Sequence, residues 1–143
     1  MTVTVRPMAI DHYHDVLDLW KRIAGVGVND ADTPEGIAAF LSRNPGLSSI
    51  ALDRNQIIGT VLCGHDGRRG YLHHLAVEQT HRGQGIGSDL VNRCLTALAT
   101  LGINKCNIMV YADNDTGAAF WERRGFFTRT DLAIRQSWTR NTK

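Results

Sequence analysis

The sequence predicts a mixed α/β fold: strand, two helices, three strands, helix, strand, helix, strand. Three observations predict it. Apolar residues alternate with period two in some segments and recur at helical spacing in others. Turn clusters at Asp53-Arg54-Asn55 and Asp66-Gly67-Arg68-Arg69-Gly70 divide the central strand segments as short hairpin loops do. Finally, Leu75 to Ser88 reads as a strand end, a glycine-rich loop and a helix start, the entry to a strand–helix–strand crossover. At 143 residues the chain suits one domain over 1–143, with antiparallel N-terminal strands, a central βαβ unit and flanking helices.

Residues 2–6 alternate as a first strand, which Pro7 ends. Ile10 to Ala24 carries its apolar residues mostly at helical spacing, with Asp11 near the start and Gly25 and Gly27 as stops. A loop from Val26 to Asp32 follows. Thr33-Pro34-Glu35 is a helix start, Thr33 capping and Pro34 taking the first helical position. Ser48–Leu52 and Gln56–Gly64 are strands, and Tyr71–Val77 is the next. The helix from Ile86 to Leu101 shows a core-facing stripe at 86, 90, 91, 94, 95, 98 and 101, and Gly102 is placed to end it. Lys105–Val110 is a strand and Thr116–Arg123 a short helix closed by Gly125. Phe126–Trp138 is expected to hold the closing strand or strands.

With 16 Lys and Arg against 14 Asp and Glu, the chain is only mildly basic, which does not suit a nucleic-acid partner. No helix-length apolar run suggests a membrane span, and Met1–Arg6 lacks a secretory layout, so a cytoplasmic location is expected. Cys63, Cys94 and Cys106 are odd in number and widely spaced. They are expected to be reduced, and mostly small buried hydrophobes.

The glycine-rich loop carries the chemistry. Gly83, Gly85 and Gly87 allow a close backbone approach, and Arg82 adds a permanent cation. The helix behind contributes the positive end of its dipole. Such a loop suits a pyrophosphate. It is not a dinucleotide fingerprint, because the third glycine falls on Ser88 or Leu90, nor a P-loop, because no Gly-Lys-Ser/Thr follows. What stands here is Arg-x-x-Gly-x-Gly preceded by Leu75-Ala76-Val77. That combination resembles the acetyl-CoA motif of the GCN5-related N-acetyltransferases, the GNAT family. Element order agrees from about Val3 to Ile134, and the resemblance is specific from Tyr71 to Phe126.

The resemblance implies a GNAT-like mixed sheet, acetyl-CoA as co-substrate and direct acetyl transfer to a primary amine. It implies that Leu75, Ala76 and Val77 pair with the pantetheine arm. Arg82, Gly83, Gln84, Gly85, Ile86, Gly87 and Ser88 would hold the pyrophosphate. Asn114 and Gly125-Phe126 match the family's closing motif, in which the asparagine touches the cofactor arm. One position departs. Trp121, which by its place in this motif is expected at the cofactor, stands where the family usually has a tyrosine that protonates the leaving thiolate, and an indole cannot serve as that acid near neutral pH. Tyr111 is the nearest substitute in sequence.

For the amine proton, the family places residues on the strand before the loop. Simple alternation puts Tyr71, His73, Leu75 and Val77 on one face, and Leu72, His74, Ala76 and Glu78 on the other. His73 holds the position of an amine-channel histidine in the serotonin N-acetyltransferase branch of the family. Tyr71 stands where other members carry a glutamate base or its histidine equivalent. His74, pointing away, is expected to be structural, and Glu78, Arg68 and Arg69 to be solvated. Cys63, His65, His73 and His74 match no standard zinc spacing, so no metal is expected. The acceptor, a small-molecule or peptide amine, is shaped in the family by the region corresponding to Ala24–Asn44. A homodimer is compatible with the family. The alternative to an enzyme is a CoA-binding regulatory module with little turnover, which Trp121 favours.

Overall fold

The computed structural model describes residues 3–139. Five strands form one mixed sheet in the order β1-β2-β3-β4-β5: β1 (Val3–Pro7), β2 (Ser49–Asp53), β3 (Gln56–His65), β4 (Gly70–Val77) and β5 (Cys106–Ile108). The first four pair antiparallel, and β5 joins β4 in parallel. Arg54 and Asn55, at φ 53° and 66°, make the tight β2–β3 turn. Two consecutive left-handed residues match the right-handed twist of a hairpin. In the β3–β4 turn, the Asp66 carboxylate accepts the N–H groups of Arg68 and Arg69, both at 2.8 Å.

Helices cover both faces. On one face lie α1 (Tyr13–Arg22) and α2 (Pro34–Arg43); on the other lie α3 (Ile86–Thr100) and α4 (Asp115–Arg123). The α1 side buries Val16, Leu19, Trp20 and Ile37 against Ile50, Leu62 and Ala76. The α3 side buries Leu90, Val91, Cys94 and Leu98 against Ile58, Val61, Cys63 and Leu72. A sheet apolar on both faces explains why β3 is buried along almost its whole length. Thr33 caps α2 as its sequence predicts, its hydroxyl accepting Gly36 N–H at 3.0 Å with Pro34 behind it. Gly102, at φ 82°, ends α3, and Ile103 N–H closes back on Leu98 O at 2.9 Å.

Four expectations change. The first helix opens as a 3-10 turn over Ile10–His12 before α1 and stops at Arg22. The strand expected over Lys105–Val110 pairs only at Cys106–Ile108. The closing strand expected in Phe126–Trp138 does not form among the described residues. Phe126 N–H returns to Trp121 O to finish α4, and residues 127–139 run exposed. Glu78 is not simply solvated: it pairs with Arg22 at 2.6 Å, tying the end of β4 to the last turn of α1. Among the described residues, no helix is long and apolar enough to cross a membrane.

Candidate functional site

The site begins where β4 loses its neighbour. Only Gly70, Tyr71 and Leu72 pair with β5, although β4 runs on to Val77. Beyond Leu72 the β5 side of β4 is therefore an open notch. Glu78 N–H bonds to Ile58 O on β3 at 2.7 Å, so alternation turns the peptide groups of Leu75 and Val77 away from β3 and into the notch. The Val77 carbonyl already receives Arg82 Nε from that side, at 3.1 Å. An extended ligand arm laid in the notch meets these groups as a neighbouring strand would.

A bulge shapes the notch. Thr60 pairs with Ala76 but Leu62 pairs with His73, so β4 holds one residue more than β3 between these rungs. His74 adopts φ 51°, a left-handed conformation that is rare for a side-chain-bearing residue. Two bonds hold it there. Trp20 Nε1–H donates to Thr60 Oγ1 at 2.8 Å, and the Thr60 hydroxyl donates to the His74 carbonyl at 3.0 Å. The His74 ring lies edge-on to Trp20, with centroids 4.6 Å apart, and its Nε2 meets Asp32 Oδ2 at 2.8 Å.

This corrects the alternation expected for the strand. Leu72, Leu75 and Val77 face the α3 side, whereas Ala76 faces α1. His73 packs beside Phe40 of α2, and His74 beside Trp20 of α1, so both imidazoles lie on the face that α1 and α2 cover. Simple alternation placed His74 on the opposite side from His73; the extra residue removes that separation. Tyr71 stacks nearly parallel to His73 at 6.3 Å. Burial, and then the neighbouring His74, hold the His73 imidazole below its ordinary pKa, so it is neutral at neutral pH.

Past β4, a 3-10 turn over Gln79–His81 leads to the glycine loop, braced by His81 Nε2 against Asp53 Oδ2 at 2.7 Å. Gly83 and Gly85 adopt φ 80° and 82°, which favour glycine, and a Cβ on either would point into open space. Gly85 starts α3 with no side-chain cap, leaving the first helical N–H groups available to an anion. Ile86 and Gly87, in the first turn of α3, are buried. Gly87 is small for another reason: a Cβ there would press on the Phe120 ring at 3.3 Å.

Sequence reasoning missed a second cation at this loop. The Arg124 guanidinium donates to Ser88 Oγ from Nε at 2.9 Å and also from Nη2, and it lies 4.1 Å above the Phe120 ring. The only signal was an arginine pair before Gly125, and nothing local says which arginine turns back to α3.

The closing motif is split. Asn114 caps α4 through Oδ1, which accepts Gly117 N–H at 3.0 Å, while its Nδ2 sits 3.1 Å from where a Cβ on Gly25 would stand. A Cβ on Gly27 would overlap the Tyr111 hydroxyl. The α1–α2 loop thus rests on the β5–α4 loop at Gly25 and Gly27, and on β4 at Asp32. Together they rim the notch. Trp121 packs edge-on between Phe120 and Phe126 on the α3 side. Among the described residues, no three His, Cys, Asp or Glu side chains gather as a metal would need.

Comparison with known proteins agrees with this geometry. Residues 13–126 match the acetyltransferase (GNAT) family. An acetyltransferase of Sodalis glossinidius is 31% identical over 120 residues, covering 83% of each chain. The crystal structure of the PaiA N-acetyltransferase of Thermoplasma acidophilum, in complex with coenzyme A, superposes with a TM-score of 0.78 at 18% identity, covering 90% of this chain and 92% of that one. A predicted acetyltransferase of Clostridium acetobutylicum, crystallised with acetyl-CoA, gives a TM-score of 0.75 at 19% identity, covering 94% and 96%.

Proposed function

The chain belongs to the GNAT family of acetyltransferases, and from that premise we propose that it transfers the acetyl group of acetyl-CoA directly to a primary amine, with both substrates bound together. The observation that carries this reading is the parting of β4 from β5 after Leu72, with the uncapped N-terminus of α3 at its end. Pantetheine pairs with the notch-facing peptide groups of Leu75 and Val77, alongside Ala76. Its pyrophosphate meets the backbone of Gly83 to Ser88 and the guanidinium of Arg82. Asn114 bounds the arm from the β5–α4 loop. The acceptor, a small-molecule or peptide amine, enters from the α1–α2 side.

The thioester is already activated, so holding the amine in attack geometry supplies much of the acceleration. A notch-facing N–H of β4 can stabilise the developing oxyanion. The amine proton leaves to an imidazole of β4, where His73 lies beside Tyr71. With Trp121 packed into the α3-side core, the departing thiolate is protonated by Tyr111 or by water.

Calorimetric titration with acetyl-CoA tests the reading, with ATP as the control. Saturable binding of acetyl-CoA alone is expected, and Gly85→Val should weaken it at least tenfold, because valine is strained at this φ and projects into the ligand's space. Equal affinity in the variant would remove the loop assignment. Trp121 also favours a second reading, a regulatory CoA-binding module. That reading expects binding without any acetylated product across an amine panel, and turnover appearing in Trp121→Tyr.

A further inference from the structure

Two imidazoles share the acceptor face, and their surroundings differ. His73 has aromatic rings at its sides and no carboxylate bonded to it. His74 has a built partner. Asp32 is buried, its side chain 5% exposed, and three contacts fix it before His74 is counted. Its backbone N–H bonds Asn29 O at 3.0 Å, its Oδ2 accepts Asn29 N–H at 3.0 Å, and its carbonyl accepts the Tyr13 hydroxyl at 2.5 Å. The same Oδ2 meets His74 Nε2.

A carboxylate bonded to one imidazole nitrogen places the proton on that nitrogen and leaves the lone pair on the other. Here the lone pair falls on Nδ1, which has no protein hydrogen bond among the described residues, on a side chain that keeps 12% exposure. The left-handed backbone of His74 and its Thr60-held carbonyl aim the ring at Asp32 and away from the alternation of the strand. Strained backbone of this kind persists only where surrounding bonds over-determine it, and it collects at functional sites.

We propose that His74, oriented by the buried carboxylate of Asp32, is the group that takes the amine proton, and that His73 shapes the acceptor pocket without accepting it. This rests on the acetyl-transfer reading above. The amine nitrogen bonds to the acetyl carbonyl carbon, and the nitrogen's proton passes to His74 Nδ1. The carbon–sulfur bond of the thioester breaks, and the CoA thiolate takes a proton from water. Asp32 stays ionised and balances the imidazolium. Among the described residues, the titratable groups around His74 are Asp32, bonded to its ring, and His73 beside it on the strand; Trp20 of α1 packs on the ring, and from β3 the Thr60 hydroxyl holds the His74 carbonyl.

The test measures CoA release from acetyl-CoA against pH, with spermidine, tyramine and a tripeptide bearing a free N-terminus as acceptors. Wild type, His74→Gln, His73→Gln and Asp32→Asn are compared, and acetyl-CoA affinity and thermal midpoint are followed for each. Wild-type kcat/KM should rise with pH along a limb set by one imidazole. His74→Gln should abolish that limb and lower kcat/KM about a hundredfold with acetyl-CoA affinity unchanged. Asp32→Asn, nearly isosteric, should lower kcat with KM and acetyl-CoA affinity little changed, because the ring's tautomer and orientation are no longer fixed by a carboxylate. His73→Gln should leave the limb in place. A limb that survives in His74→Gln, or one that vanishes in His73→Gln, overturns the proposal, as does an unchanged kcat in Asp32→Asn. If wild type binds acetyl-CoA yet releases no CoA with any of the three amines, the transfer reading falls, and the proton assignment falls with it.

Discussion

At His73 the structure converts burial into a pH dependence. Its folded pKa lies below the ordinary imidazole value of about 6.5, first because it is buried and then because His74 stands beside it. As pH falls through that value the unfolded chain binds a proton that the folded chain resists. Stability from this group is thus complete above that pH and declines below it. Urea midpoints measured between pH 7.5 and 5.5 should fall toward acid, and His73→Gln should flatten the fall. Glu78 acts in a separate, more acidic window. The Arg22 guanidinium lowers its pKa, so its contribution is lost only below the usual carboxylate range. The cysteines are legible to the same reasoning. Burial, with Cys63 beside it, pushes the Cys106 thiol up to about 12, and Cys63 is raised as well, chiefly by its hydrogen bond with Cys94. At pH 8 that leaves only about one Cys106 thiolate in ten thousand. Iodoacetamide should therefore label Cys106 slowly in the folded protein and rapidly in urea, followed by mass spectrometry.

At the scale of elements, what could be read early is what is encoded locally. Thr33-Pro34 announces α2 because a hydroxyl cap and a fixed φ act within one turn. Thr33→Ala should cost about 1 kcal/mol in equilibrium unfolding, leaving one helical N–H without its partner. The loop glycines were legible for the same reason, since Gly83 and Gly85 take the positive φ their type permits. The β4 bulge was not. Nothing at His73-His74 signals an extra residue, and a left-handed histidine is not what local propensity favours. The bulge is fixed by Thr60, fourteen residues away, and by Asp32, forty-two residues away. Period-two reasoning therefore grouped His73 with Leu75 and Val77 and put His74 on the opposite face from it, and the Asp32 pairing was missed. The Arg124–Ser88 contact escaped in the same way, across thirty-six residues.

For the molecule as a whole, the sheet is finished by packing on two faces but not at its β5 edge. The closing strand or strands expected in Phe126–Trp138 would have carried Leu132, Ile134 and Trp138. A strand also needs a partner with free ladder groups, and β5 offers only three residues. The segment accordingly leaves Phe127, Leu132, Ile134 and Trp138 each more than 60% exposed. Stability should then divide sharply between the sheet and the tail. Leu132→Ser and Ile134→Ser should each change the unfolding free energy by less than about 0.5 kcal/mol, since neither vacates a packed site. Leu90→Ala, which opens the wholly buried α3 side, should cost about 2–5 kcal/mol. Urea denaturation of the three variants reads both arms. A loss above about 2 kcal/mol in either tail variant would mean that the segment is packed in solution, because only burial of those side chains could supply so large a difference. A small loss there beside a large one at Leu90 places the cooperative unit in β1–β5 and their helices.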